Sequence, residues 1–135
     1  MATITKFEEL EIWQLARAQT KEFNELVTTT GLAKDFELRN QMNASSGSVM
    51  DNIAEGFERS GTNEFKNFLI IAKGSNGEYR SQLYRCFDRN YITQEKLDDL
   101  LIKNLLLSNK LMAFVNYLRN TSLKGHSRKD RDISN

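Results

Sequence analysis

One histidine, His126, and one cysteine, Cys86, are all the chain offers for ordinary acid–base or thiol chemistry among 135 residues. The commonest hydroxyl and thiol nucleophiles work with an imidazole beside them. His126 falls in a C-terminal stretch without helical periodicity, so no Ser/His/Asp or Cys/His system can be assembled around it. A di-iron bundle needs two Glu-x-x-His pairs, which a single histidine cannot supply. Cys86 falls at an inward helical position and reads as a small core residue rather than a reactive thiol. Carboxylate pairs such as Asp51/Glu55 and Glu22/Glu25 fit solvated helix faces. The expectation is a protein that is not an enzyme and uses no metal and no cofactor.

Cations offer the other chemistry. Lys66, Lys73 and Arg80 recur every seven residues, which places them along one edge of a helix with little angular drift. Such a row can follow a phosphate backbone; the competing reading is a solvated edge beside the core, with Glu64 and Glu78 as neighbours. Arg59 precedes the row, while Arg85 and Arg89 fall on another side. Lys124, His126, Arg128, Lys129 and Arg131 form a second basic stretch, diluted by Asp130 and Asp132, which also reads as a solubilising end. Net charge is +1, yet residues 1–58 hold five Lys/Arg against ten Asp/Glu, and residues 59–90 hold six against three. An acidic front and a basic back favour self-association by charge or an anionic partner.

These residues lie on helices. Proline is absent, and apolar residues recur at steps of three and four. Thr5 and Glu8 have the spacing of a capping box, opening a first helix with Leu10, Trp13, Ala16, Thr20, Phe23 and Val27 inward. Gly31 ends it. Asp35 caps a second helix with Leu38, Met42, Ser46, Val49, Ile53 and Phe57 inward; Thr62 caps a third carrying Phe65, Phe68, Ala72, Ser75, Tyr79 and Leu83. Thr93 caps a fourth, with Leu97, Leu100, Leu101, Leu107, Leu111, Phe114 and Leu118. The helices are predicted at about residues 6–28, 36–57, 62–90 and 93–121, and short linkers make neighbours antiparallel. The predicted fold is all-α: an up-down-up-down four-helix bundle over residues 1–122, followed by a basic flexible tail, 123–135. No apolar run approaches the roughly 20 residues that span a bilayer, and the N-terminus does not read as a signal peptide. The expected location is the cytoplasm.

Two stretches invite a second interpretation. Gly74-Ser75-Asn76-Gly77 lies mid-helix, where each glycine costs about 1 kcal/mol relative to alanine. Without a preceding strand and a Gly-Lys-Ser/Thr ending it is not a phosphate cradle, so close packing against Ser45-Ser46-Gly47-Ser48 is expected. Asn52, Glu55, Ser75, Glu78 and Gln82 read as a structural polar network that fixes register, or as the lining of a small site. Helix four carries more apolar surface than one bundle uses: Leu101, Leu105, Leu106, Met112 and Val115 form a second face. A helix apolar on both sides is buried on both sides, so a homo-oligomer packed through helix four is expected.

The residues also resemble a known family. Phe7-x-x-Leu10-x-Ile12-Trp13-x-x-Ala16, Gln41-Met42 with Ser48-Val49, Asn52-Ile53-Ala54-Glu55-Gly56-Phe57-x-Arg59, and Phe65-x-x-Phe68-Leu69-x-Ile71-Ala72-x-Gly74-Ser75-x-x-Glu78-x-x-x-Gln82-Leu83 are similar to the bacterial four helix bundle proteins. These are encoded in intervening sequences of large-subunit ribosomal RNA genes and elsewhere, and are similar to the accessory protein of diversity-generating retroelements. The resemblance implies a homopentamer and, in the retroelement branch, binding to RNA or DNA and to a nucleic-acid enzyme. Family members commonly carry two arginines where this chain has Asn43 and Ala44. That departure removes two cations from the nucleic-acid reading and leaves a protein–protein scaffold as its rival.

Overall fold

The computed structural model describes residues 3–123. Among them are four α-helices and no strand: α1 (Glu11–Thr29), α2 (Phe36–Glu58), α3 (Thr62–Asp88) and α4 (Gln94–Leu123). Short 3-10 turns, Phe7–Glu9 and Gly31–Lys34, precede α1 and α2.

The start of α1 differs from the capping-box expectation. Thr5 N–H donates to Glu9 Oε1 at 3.0 Å, so Glu9, and not Glu8, closes the N-terminal turn. Leu10 stays extended and α1 begins at Glu11. The buried face of α1 is accordingly Ile12, Ala16, Gln19, Phe23 and Leu26, while Trp13, Thr20 and Val27 are only half-buried. Asp35 caps α2 as expected, its Oδ1 accepting from Leu38 N–H at 3.3 Å. Thr93 Oγ1 does the same for Lys96 N–H at 3.1 Å. Thr62 is not a cap: Gly61 holds that position without a side-chain bond.

Contacts along the helices show that each runs antiparallel to the next. Met42 meets Cys86 and Ser48 meets Ser75 between α2 and α3. Phe65 meets Phe114 between α3 and α4. Lys110 pairs with Glu11 and Lys103 with Glu22 between α4 and α1. The core falls into two apolar clusters. One gathers Ile12, Val49, Ile53, Phe65, Leu111 and Val115; the other gathers Phe23, Leu38, Met42, Tyr79, Leu83, Cys86 and Leu97. Between them lies a polar layer described below.

Close helix packing does not occur at the expected glycines. Ser48 and Ser75 do touch, hydroxyl to hydroxyl at 2.8 Å, but a Cβ at Gly47 or Gly74 would meet nothing within 4 Å. The tight approach is at Gly56, where a Cβ would come within 2.5 Å of Phe68 Cβ. Only a residue without a side chain lets α2 leave its last turn against α3 there.

Helix four is also corrected in part. Val115 is fully buried in the chain's own core and so has no outer surface to offer a partner. Leu101 and Met112 are half-buried against the two core clusters. Leu105 and Leu106 remain 45% and 46% exposed, and Ile102 is 70% exposed. Seams differ in tightness: α1 and α4 touch least, leaving an open groove of about 350 Å³ lined by Leu15, Ala18, Leu106 and Leu107.

Candidate nucleic-acid interface

The cation row lies on the flank of α3 that faces α4. Positions 66, 70, 73, 77, 80 and 84 follow each other at steps of four and three, so one edge reads Lys66, Ile70, Lys73, Gly77, Arg80, Tyr84. Lys66, Lys73 and Arg80 are all half-buried, which fits long apolar stems lying on the helix with their charged heads in water. No carboxylate lies within ion-pair distance of Lys66 or Lys73 among the described residues. Ile70 and Tyr84 are among the chain's exposed large apolar side chains.

Arg80 is held from beneath. Its Nη1 donates to Asn104 Oδ1 at 3.1 Å. Asn104 is completely buried and belongs to a carboxamide triad drawn from α1, α3 and α4. Asn104 Nδ2 donates to Gln19 Oε1 at 2.8 Å and to Asn76 Oδ1 at 3.0 Å, and Gln19 Nε2 donates to the same Asn76 oxygen at 2.9 Å. Asn76 Nδ2 reaches the Asn104 carbonyl at 3.1 Å. Every side-chain nitrogen and oxygen of the triad is therefore bonded, as a buried polar group requires. The sequence reading missed this triad, although its signal was present: Gln19, Asn76 and Asn104 each fall in phase with the buried residues one turn away.

The remaining candidates separate. Arg59 sits beyond the end of α2, paired with Glu55 and Glu64 at 3.4 Å each and lying over the Phe68 ring at 5.3 Å; the structure does not bring it into the row. Asn52 Nδ2 donates to the Ser48 carbonyl and hydroxyl, linking it to Ser75. Gln82 Oε1 accepts from Ser45 at 2.6 Å. Glu55 and Glu78 are exposed. The five polar motif residues thus form two small bonded groups on the α2–α3 seam with two carboxylates outside them, and not one network. Lys124, Arg128, Lys129 and His126 lie outside the described residues.

At one pole, Asp35 also accepts from Tyr91 Oη at 2.7 Å and pairs with Arg89. The tyrosine hydrogen bond, with Arg89 and the Leu38 N–H adding to it, holds the Asp35 carboxyl below its ordinary range. Burial pushes the Cys86 thiol up to about 11, which keeps it protonated and inert at neutral pH. Among the described residues no three His, Cys, Asp or Glu side chains gather as a metal site, and no helix is long and apolar enough to cross a membrane.

Four packed helices with a basic edge seated on buried carboxamides define a small all-helical bundle class. The chain belongs to the 23S rRNA-intervening sequence protein family, whose family model matches residues 8–113. It is similar in fold to a solved protein with unknown function from the S23 ribosomal protein family of Bacteroides thetaiotaomicron VPI-5482. The two share 22% identity and a TM-score of 0.66, over 78% of this chain and 91% of that one. No curated protein matches the chain.

Proposed function

We propose that this chain is a non-catalytic bundle that binds nucleic acid along the α3 edge bearing Lys66, Lys73 and Arg80. The observation carrying this reading is the alignment of three cations, Lys66, Lys73 and Arg80, on one half-buried helical edge where none has an acidic partner among the described residues. Other cations without an ion-pair partner are scattered, whereas these three recur every seven residues and present their charge along one line. The family's name, which ties it to intervening sequences of 23S rRNA, supports a role beside RNA in the cytoplasm, either alone or as accessory to a nucleic-acid enzyme. Self-association through the exposed α4 residues Ile102, Leu105 and Leu106 would repeat the edge around an assembly, which the family resemblance makes a pentamer. Repetition converts two or three weak phosphate contacts into useful avidity.

The second reading, a scaffold that binds only proteins, rests on the same exposed α4 leucines and on Asn43 and Ala44 in place of arginines. Fluorescence anisotropy with labelled RNA and DNA at about 50 and 200 mM salt separates the two. Binding that weakens steeply with salt, and weakens further in a Lys66→Ala/Lys73→Ala variant, is the expected result. No binding at the lower salt would sink the nucleic-acid reading in favour of the scaffold.

A further inference from the structure

The edge of α3 carries more than charge. Between Lys73 and Arg80 stands Gly77, where a Cβ would find nothing closer than Arg80 Nη2 at 3.9 Å. The guanidinium of Arg80 therefore lies beside bare backbone, and Asn104 fixes one of its nitrogens from below. One turn further along the same edge is Tyr84, 49% exposed, its position four residues on making it the immediate surface neighbour of Arg80. Glycine at the centre of a 27-residue helix is unfavourable, and no packing contact accounts for it. Its effect is to leave a shallow notch beside the Arg80 guanidinium, a cationic plane held in place, with the Tyr84 ring one turn beyond it.

Guanidinium planes and aromatic rings are the two surfaces on which unpaired bases stack. In a duplex the base faces are covered by their neighbours, so a duplex gains only from the cations. Building on the phosphate-binding reading above, we propose that this edge selects single-stranded nucleic acid, one base lying in the Gly77 notch against Arg80 and the next stacking on Tyr84 one turn on, while Lys66 and Lys73 hold the phosphates. The distance from Lys66 to Tyr84 along the helix, eighteen residues, is about 27 Å, room for a segment of several nucleotides. Arg80 acts in both parts, through its charge and through its plane.

The full chain would be titrated against a labelled single-stranded RNA of about a dozen nucleotides, the DNA of the same sequence, and the matching duplexes. Tighter binding of single strands is expected. Tyr84→Ala should weaken single-strand binding about tenfold, leave duplex binding and the slope of log affinity against log salt unchanged, and be rescued by Tyr84→Trp. Gly77→Leu, which fills the notch at a position with open space, should act in the same direction while its thermal melt shows an intact fold. Lys66→Ala/Lys73→Ala should instead weaken every probe and flatten the salt slope by about 0.7 per lysine on single strands. A preference for RNA or for DNA among the single strands supports the proposal and names the strand. Duplex bound as tightly as single strand, or Tyr84→Ala weakening both alike, would overturn the stacking while leaving phosphate binding standing. Absence of binding to any probe would overturn both.

Discussion

Asn104 is the residue through which the core and the basic edge are coupled, and its replacement by alanine can be worked through bond by bond. The substitution removes the donor to Gln19 Oε1 and Asn76 Oδ1 and the acceptor for Arg80. Asn76 Oδ1 keeps its bond from Gln19, and Asn76 Nδ2 keeps the backbone carbonyl of residue 104. Arg80, half-exposed, turns to water. What is left stranded is Gln19 Oε1, a buried acceptor with no other partner, at a cost of about 1–3 kcal/mol. The cavity left by the amide adds about 1 kcal/mol, so Asn104→Ala should lose about 3 kcal/mol overall. Urea denaturation followed by circular dichroism measures this directly. A triple variant, Gln19→Leu/Asn76→Leu/Asn104→Leu, removes the whole triad and strands nothing, and apolar replacement of a complete buried polar set is often neutral. It should return to within about 1 kcal/mol of the parent. If Asn104→Ala is as stable as the parent, or if the triple variant loses the sum of the single losses, the triad does not carry the stability assigned to it.

Glycines give opposite expectations at two positions. Gly56→Ala forces a Cβ against Phe68 and should destabilise by about 2 kcal/mol, whereas Gly74→Ala, in open space on the same kind of helix, should stabilise by about 1 kcal/mol; thermal melts of the two variants check both signs. Asp35 has a folded pKa depressed below its ordinary 3.8, so the stability it contributes is present in full above that value and is lost as pH falls through the lower folded value. An Asp35→Asn variant, which keeps the cap, should therefore melt below the parent at pH 6 and converge with it at the acid end of a pH series. The proposed self-association through α4 predicts a mass above one chain by light scattering, lowered to one chain by Ile102→Glu/Leu106→Glu without altering the helical spectrum; a parent that is already a single chain, or a variant of unchanged mass, would refute it.

Where a helix met the others on all of its inner positions, the sequence pattern was enough. All six positions expected inward on α2, from Leu38 to Phe57, are buried, with Ser45 and Gly56 joining them, and the caps at Asp35 and Thr93 follow from their own chemistry. Helix α1 was harder: Ala16 and Phe23 are inward as expected, but Ile12, Gln19 and Leu26 are buried in place of Trp13, Thr20 and Val27, because adjacent apolar residues at 12/13 and 26/27 leave the phase open and the buried position 19 is polar. Val115 belongs to an inner stripe broad enough to take in Asn104 and Ser108 as well, and counting leucines alone misplaces it. The small residues of α2 and α3 carried no local sign of which glycine faces a neighbour: Gly56 of α2 meets Phe68 of α3 because the chain turns directly from one helix into the other. For the candidate site, the lysine ladder was legible from spacing, while the hold of Asn104 on Arg80 depends on how α4 is set against α3, which no local pattern encodes.

The antiparallel order puts Thr3 and Leu123 at one pole of the bundle, with the Asp35 clamp at the other. A force applied between those two points therefore peels α1 from α4 in a zipper geometry, along the seam with the fewest contacts. The ties fail one after another: Glu11–Lys110 first, then Gln19–Asn104, then Glu22–Lys103. Along this axis the exposed ion pairs give little resistance, and the buried carboxamides halfway down are the polar rung at which separation must break several bonds together.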